Sequence, residues 1–291
     1  MSGTTKHEFG GAWTQLKLDV FRSYVNFFTT ALKNRNFNLH YADAFAGTGQ
    51  QNLKTIEGQS VLFPEEDFEG SVRVALSLRH AFQVYHFNDI SEEFCQELRK
   101  LAAEYPDVDV RITQLDANEF VREFCAGLGS NDRAVLLLDP YNTELDWESV
   151  KVIAKSQRID VWVLFPLSTL LRMTPRDGNK IRPEWEATLN RLLGTDRWIT
   201  ELYKPKETPR IEDMFGEEPV SEVERLNVDG VSKFVKNRLS EQFPFVSEPV
   251  TLRNKNSPLF LFFLAVSNPS NVAIGLARKV SNQIIKKYST R

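Results

Sequence analysis

The sequence predicts an α/β fold: a mostly parallel sheet with helices on both faces and an antiparallel hairpin near its C-terminal end. Short apolar runs alternate with segments of helical periodicity from residue 39 to residue 167. The run AVLLL at 134–138 has no polar interruption, which is typical of strands that are buried on both faces. The connections between runs span about a dozen residues or more, as parallel strands require.

The elements before residue 168 follow this alternation. Residues 12–33 have the pattern of an amphipathic N-terminal helix, with Trp13 on its apolar side and Lys17 available to water. A buried strand is predicted at 39–45, and the polar stretch 50–70 is predicted to be a long loop. The later strands are predicted at 83–88, 108–115, 134–138 and 159–167, and the helices between them begin near Gly70, after Ser91, at Ala117 and at Asp146.

The alternation stops at Ser168, and residues 170–246 are predicted to be a helical insertion. It contains a helix at 183–193 that ends at Gly194, and a second helix at 230–242. The polar, proline-containing segment 204–219 lies between them.

The last part of the sheet is predicted at 249–266. Two extended runs, VTLRN and LFLFFLAV, are joined there by the turn-prone KNSP, which indicates a hairpin. This order of elements is that of the methyltransferase variant of the Rossmann-like fold. A length of 291 residues is sufficient for one such domain over 1–291.

Composition excludes several classes of protein. A formal net charge of −3 gives no global basic field of the kind that non-specific nucleic-acid binders carry. Cys95 and Cys125 lie outside any CxxC pattern, and the four histidines are scattered, so we predict buried free thiols and no structural metal. The chain has no leader-like start and no run near the ~20 apolar residues of a membrane span, so we predict a cytoplasmic protein.

The segment DAFAGTG at 43–49 ends the first predicted strand. Its glycines, Gly47 and Gly49, allow the backbone to approach a ligand, with Phe45 and Ala46 in the same turn. A dinucleotide fingerprint needs a third glycine at position 52, where the chain has asparagine, and the GK[ST] of a phosphate loop is absent.

A ligand that carries positive charge suits this turn better than a phosphate does. Asp43 can accept a hydrogen bond from the α-ammonium of S-adenosylmethionine, either directly or through water. The alternative is that Asp43 only caps its own turn.

Three more acids close the next three strands. Asp89 can accept both ribose hydroxyls or can cap the following helix. Asp116 can accept the exocyclic amine of adenine, or can cap the helix at 117–127. With Asp43 and Asp139, these residues form an acidic rim at four consecutive strand ends.

The segment Asp139-Pro140-Tyr141-Asn142 is the predicted catalytic turn. Pro140 fixes the backbone and has no N–H, so a carbonyl there can face a ligand. Tyr141 can stack on a flat substrate ring, and Asp139 or a main-chain oxygen can accept from a substrate amine as its nitrogen attacks the methyl group. The alternative is a proline turn with a core tyrosine.

Four motifs resemble the three-Cys-motif partner protein family, TcmP. They are WTxxKL from Trp13, YADAFAGTG from Tyr41, LDPY from Leu138 and the hairpin sequence SPLFLFFLAVSNP. The resemblance implies a methyltransferase-like fold and a partner protein with three cysteines, similar to radical-SAM or phage Gp37/Gp68-type proteins. It assigns Asp43, Gly47 and Gly49 to the methyl donor and the turn from Asp139 to Tyr141 to the active rim. DPYN has one proline, whereas base-amino methyltransferases usually carry DPPY or NPPY.

Two functions remain open at this point. The first is an S-adenosylmethionine-dependent methyltransferase that acts on a base of DNA or RNA, with the basic stretch 270–291 meeting phosphates or simply forming a solvated helical face. The second is a non-catalytic partner that docks the three-cysteine protein, for which the acidic segment 201–225 is a candidate surface.

Overall fold

The computed structural model describes residues 11–48, 70–205 and 223–288. Five parallel strands form the centre of its main sheet. They are β1 (Asn38–Asp43), β2 (Val84–Asn88), β3 (Asp109–Thr113), β4 (Asp132–Leu138) and β5 (Ile159–Phe165). The polar loop predicted at 50–70 lies almost entirely outside the described residues.

Helices precede or connect these strands on both faces of the sheet. They are α1 (Gly11–Leu32), α2 (Ser71–Leu76), α3 (Glu92–Ala102), α4 (Ala117–Gly127) and α5 (Trp147–Ser156). Ser91 caps α3 as predicted, since its side chain accepts the N–H of Phe94.

The insertion after β5 is built from short elements. They are α6 (Leu167–Met173), a 3-10 turn (Gly178–Lys180), α7 (Pro183–Leu193), α8 (Trp198–Glu201) and α9 (Val228–Ser240), with a two-stranded ribbon of β6 (Tyr203–Pro205) and β7 (Val223–Arg225). Gly194 ends α7 in the left-handed region, with φ of 64°. Most of the segment 204–219 lies outside the described residues.

The hairpin completes the sheet. It consists of β9 (Val250–Asn254) and β10 (Ser257–Val266). The short strand β8 (Phe245–Val246) precedes it and α10 (Asn271–Tyr288) follows. β10 is antiparallel to β5 along one edge and pairs with β8 and β9 along the other, giving the order β3-β2-β1-β4-β5-β10-β8. This arrangement confirms the predicted fold class.

Two apolar layers enclose the sheet because strand side chains alternate between its faces. One layer packs under α1, α2, α3 and α10, and it includes Tyr41 and Trp162. The other packs under α4, α5 and the insertion, and it includes Ala42 and Val163. The carboxyl ends of the parallel strands are thereby held at one edge, where the candidate site lies. Along the described residues, no helix is long and apolar enough to cross a membrane.

Candidate cofactor and active site

The turn after β1 is bonded to the end of β2. The N–H of Gly47 donates to Oδ2 of Asp89 over 3.0 Å, and the N–H of Ala46 donates to the carbonyl of Asn88 over 2.9 Å. Because β2, β1 and β4 are adjacent in the sheet, Asp89, Asp43 and Asp139 end neighbouring strands at one edge. The structure therefore brings these three predicted acids together.

Asp43 is fully buried beneath this turn. Its Oδ2 accepts from the hydroxyls of Ser71 (2.6 Å) and Tyr41 (3.2 Å), and its Oδ1 accepts from the N–H of Phe45 (3.2 Å). The bond to Phe45 is the one that turn capping predicts, and it orders the segment leading to Gly47. Contact between Asp43 and a ligand stays a prediction.

Burial raises the pKa of Asp43 to about 6. The hydrogen bond from Ser71 opposes this shift, and the nearby charge of Asp139 adds to it. Burial likewise raises the pKa of Asp160 on β5 to about 6, against the hydrogen bond from the Tyr24 hydroxyl.

Each of these two acids contributes a loss of stability as pH rises from about 4 to about 6, because the unfolded chain ionises it first. The contribution of each acid to the free energy of unfolding should fall by up to about 1.4 kcal/mol per pH unit and then level off above pH ~6. Burial lowers the pKa of His86 to about 4, and this shift contributes with the opposite sign over the same range. Urea unfolding of the wild type, Asp43→Asn and Asp160→Asn across this range tests the prediction. Each substitution should remove one falling contribution and so make the slope of the free energy of unfolding against pH more positive than in the wild type, and an unchanged slope in both variants would contradict the assigned shifts.

Asp89 is not a helix cap, since that position belongs to Ser91. It is 4% exposed and accepts the N–H groups of Gly47 and Ser91 on different oxygens, and burial raises its pKa. Ile90, which follows it, is 70% exposed at the rim. Sequence reasoning missed Ile90 because an isolated apolar residue in a turn carries no periodic signal.

Asp116 lies farther along the same edge and is exposed. It is the N-cap of α4, and its Oδ1 accepts the N–H groups of Asn118 and Glu119. Asp116 therefore caps α4, as one of its two predicted roles requires, and its contact with adenine stays a prediction.

In the turn after β4, the side chain of Tyr141 lies close to Gly47. Gly47 has φ of 59°, and a Cβ built on it would lie 3.7 Å from the hydroxyl of Tyr141, whose side chain is 64% exposed. Tyr141 is thus not a core tyrosine, whereas Pro140 before it is buried. Phe45 packs partly buried against the core and Ala46 is 7% exposed. Gly49 lies outside the described residues.

The prediction that Lys17 faces water is wrong. Its ammonium forms an ion pair with Oδ2 of Asp139, and the two side chains are 8% and 22% exposed. The ammonium also lies 5.8 Å from the ring centre of Trp13, which packs on Phe260 of β10. The start of α1 therefore covers the carboxyl edge of the sheet, and this placement depends on tertiary packing that helical periodicity does not encode.

The side chain of Asn88 joins the ends of three strands by hydrogen bonds. This role was not predicted from the sequence. Its amide nitrogen donates to the carbonyls of Ala44 and Leu115, and its oxygen accepts from Thr113 Oγ1 and the Leu115 N–H, all at 3.0–3.1 Å. This buried amide uses its full hydrogen-bonding capacity, so the ends of β1, β2 and β3 have a fixed separation.

The charges at this edge favour a cationic ligand. Within the described residues, Asp43, Asp89 and Asp139 lie near one lysine, Lys17, which lowers the pKa of Asp43 only as a minor contribution. Over the described ranges, no group of three or more His, Cys, Asp or Glu side chains is arranged to hold a metal ion. A cavity of about 440 Å³ between the start of α5 and the end of α7, lined in part by Trp147, contains none of the predicted site residues.

Comparisons with known proteins support the fold. No family model matches the chain, and no curated protein is found as a relative. A solved structure of a Legionella pneumophila protein of the family DUF519 is 11% identical, covers 94% of this chain and 93% of that one, and has a TM-score of 0.51. Magnesium protoporphyrin IX methyltransferase from Synechocystis, solved with bound SAM, is 12% identical, with coverage of 91% and 86% and a TM-score of 0.38.

Identities this low show the fold alone, and a TM-score of 0.38 carries no further argument. Membership of the TcmP family stays a prediction. The strand order and the likeness to the DUF519 protein together establish a Rossmann-like α/β fold of the class I methyltransferase type.

Proposed function

We propose that this protein is an S-adenosylmethionine-dependent methyltransferase that acts on a base of RNA or DNA. The observation that carries the proposal is the meeting of three strand ends at Gly47. Asp89 bonds the N–H of this glycine, and the exposed Tyr141 lies beside it. Residues suited to a donor nucleoside and residues suited to a flat acceptor are thereby adjacent.

The donor side fits a positively charged nucleoside. S-adenosylmethionine carries an ammonium and a sulfonium, and its sulfonium supplies the electrophilic methyl group. Asp89 would accept from the ribose hydroxyls, the exposed Ile90 would cover one face of the adenine, and Asp43 would hold the glycine turn in shape. The unused Oδ2 of Asp116 would accept from the adenine amine.

The acceptor side uses the turn from Asp139 to Tyr141. Tyr141 would stack on the substrate ring, which favours a nucleobase over an aliphatic amine. The Asp139 carboxylate, held by Lys17, would accept a hydrogen bond from the exocyclic amine and would orient its nitrogen toward the methyl group. Docking of a three-cysteine protein stays a prediction from the resemblance, because the acidic segment proposed for it lies largely outside the described residues.

Calorimetry with S-adenosylmethionine tests the donor site. We expect the wild type to bind and Asp89→Asn to bind about 10- to 100-fold more weakly, because hydrogen bonds to a charged acceptor contribute about 1.5–3 kcal/mol. Asp132→Asn is the matched control: this acid also accepts a backbone N–H, from Gly129, but it lies at the opposite end of β4. No binding by the wild type, or equal losses in both variants, would contradict the proposal.

A further inference from the structure

Three arginines lie at or after the end of α6, and one of them, Arg172, lies close to the turn after β4. Arg172 lies in the last turn of α6, Arg176 lies shortly after it, and Arg225 lies on β7. The backbone N–H of Arg225 donates to the carbonyl of Arg176 over 2.8 Å. In the described parts of the chain, none of the three forms an ion pair with a carboxylate. Arg172 and Arg176 are exposed, and Arg225 is half-buried.

Of the three arginines, Arg172 is the one that hydrogen bonds connect to the catalytic turn, through Thr169. Thr169 Oγ1 donates to Oδ1 of Asn142, the residue after Tyr141, over 2.8 Å. Arg172 Nη2 lies 3.5 Å from the same hydroxyl oxygen. One threonine therefore separates the Arg172 guanidinium from the turn that carries the exposed tyrosine.

Among the described residues, the acids that lie closest in sequence do not neutralise these arginines. Asp177 accepts the N–H of Asn179 and lies 3.4 Å from the ammonium of Lys180. Glu224 precedes Arg225 on β7, and because side chains alternate along a strand it lies on the other face of the ribbon.

Within the described part of the chain, the guanidinium of Arg225 makes only long hydrogen bonds. Its Nε is buried without a hydrogen-bond partner, and its Nη1 reaches the Leu171 carbonyl and Thr174 Oγ1 only at 3.5 Å. Burial, with the nearby charge of Arg176, lowers the pKa of Arg225. The charges of Arg225 and Arg176 repel one another, and an anion bound between these two residues would remove this repulsion.

We propose that Arg172 and Arg176, backed by Arg225, bind a backbone phosphate of the nucleic-acid strand whose base lies against Tyr141. The inference rests on the proposed function, and it names the part of the substrate that the insertion recognises. Guanidinium forks match phosphate oxygens in pairs, and a phosphate next to a displaced base is the anion that a nucleic-acid substrate brings to this position.

The test compares two double variants that remove the same charge. Arg172→Gln/Arg176→Gln removes two of the proposed contacts. Lys33→Gln/Arg35→Gln removes two exposed charges just before β1, at the opposite edge of the sheet, where neither residue has an ion pair. Binding of a fluorescein-labelled single-stranded RNA of mixed sequence is measured by anisotropy between about 50 and 200 mM KCl.

We expect the arginine variant to bind about tenfold more weakly than the wild type and to reduce the slope of log affinity against log salt by about 0.7 for each lost phosphate contact. The control should match the wild type, and both variants should bind S-adenosylmethionine normally in calorimetry. Unchanged affinity and slope in the arginine variant, or equal losses in the control, would overturn the inference. Failure of the wild type to bind the donor, with RNA binding intact, would contradict the proposed function instead.

Discussion

Gly194→Ala is expected to destabilise the protein by about 3 kcal/mol or more. A Cβ at this position would lie 2.0–2.6 Å from atoms of the Trp147 indole, and φ is 64°, which costs a side chain about 1–2 kcal/mol on its own. Trp147 is 3% exposed and the Arg238 guanidinium lies 4.9 Å from its ring centre, so a shift of the indole into the neighbouring cavity would cost this packing. Urea unfolding, followed by far-UV circular dichroism, measures the change.

Gly275→Ala is the matched control for this substitution. Gly275 lies within α10 and a Cβ built there would meet nothing within 4 Å, so alanine should stabilise the helix by about 0.5–1 kcal/mol. If the two alanine variants were equally stable, the close contact between Gly194 and Trp147 would be refuted.

Asp139→Asn is expected to reduce methyl transfer at least about 100-fold while donor affinity stays within a few-fold of the wild type. In the proposed function, the negative charge of Asp139 would align the acceptor amine, and asparagine lacks this charge. It also leaves the buried Lys17 ammonium without its counter-charge, which should cost about 3 kcal/mol of stability. Transfer of radiolabelled methyl groups to mixed RNA and DNA, with urea unfolding, gives both quantities.

The double variant Lys17→Met/Asp139→Asn separates these two effects. Removing both charges should restore much of the stability, because no uncompensated charge remains buried, but methyl transfer should stay low. Recovery of transfer in the double variant would show that Asp139 serves only to neutralise Lys17. If the wild type binds the donor and transfers no methyl group to either nucleic acid, the non-catalytic docking function is favoured.

The central sheet and its edge are predictable because their signals are local. Buried parallel strands such as 134–138 read as continuous apolar runs, and parallel strands necessarily bring their carboxyl ends to one edge. The positions of Asp43, Asp89 and Asp139 at that edge followed from this alone. The ribbon of β6 and β7 and the two-residue β8 were missed because they are too short to show a period.

Residues whose role depends on a distant partner could not be found in this way. Lys17 is 122 positions from Asp139, and its helix gives no sign of which side covers the sheet edge. In the sequence, Asn88 has the pattern of an ordinary turn residue, and only the folded sheet shows that it bonds the ends of three strands. The sequence pattern of Arg172 is that of a solvent-exposed helical arginine, and only the contacts of Thr169 with Arg172 and Asn142 show that it lies near the turn after β4.

The position of β10 has a consequence for biosynthesis. This strand leaves the ribosome after every other strand of the sheet, yet it pairs with β5 on one edge and with β8 and β9 on the other. Until β10 emerges, one edge of β5 has unpaired backbone N–H and C=O groups, and an exposed edge strand of this kind can pair with other chains and aggregate. The nascent protein is therefore expected to need chaperone protection of β5 until β10 has left the ribosome.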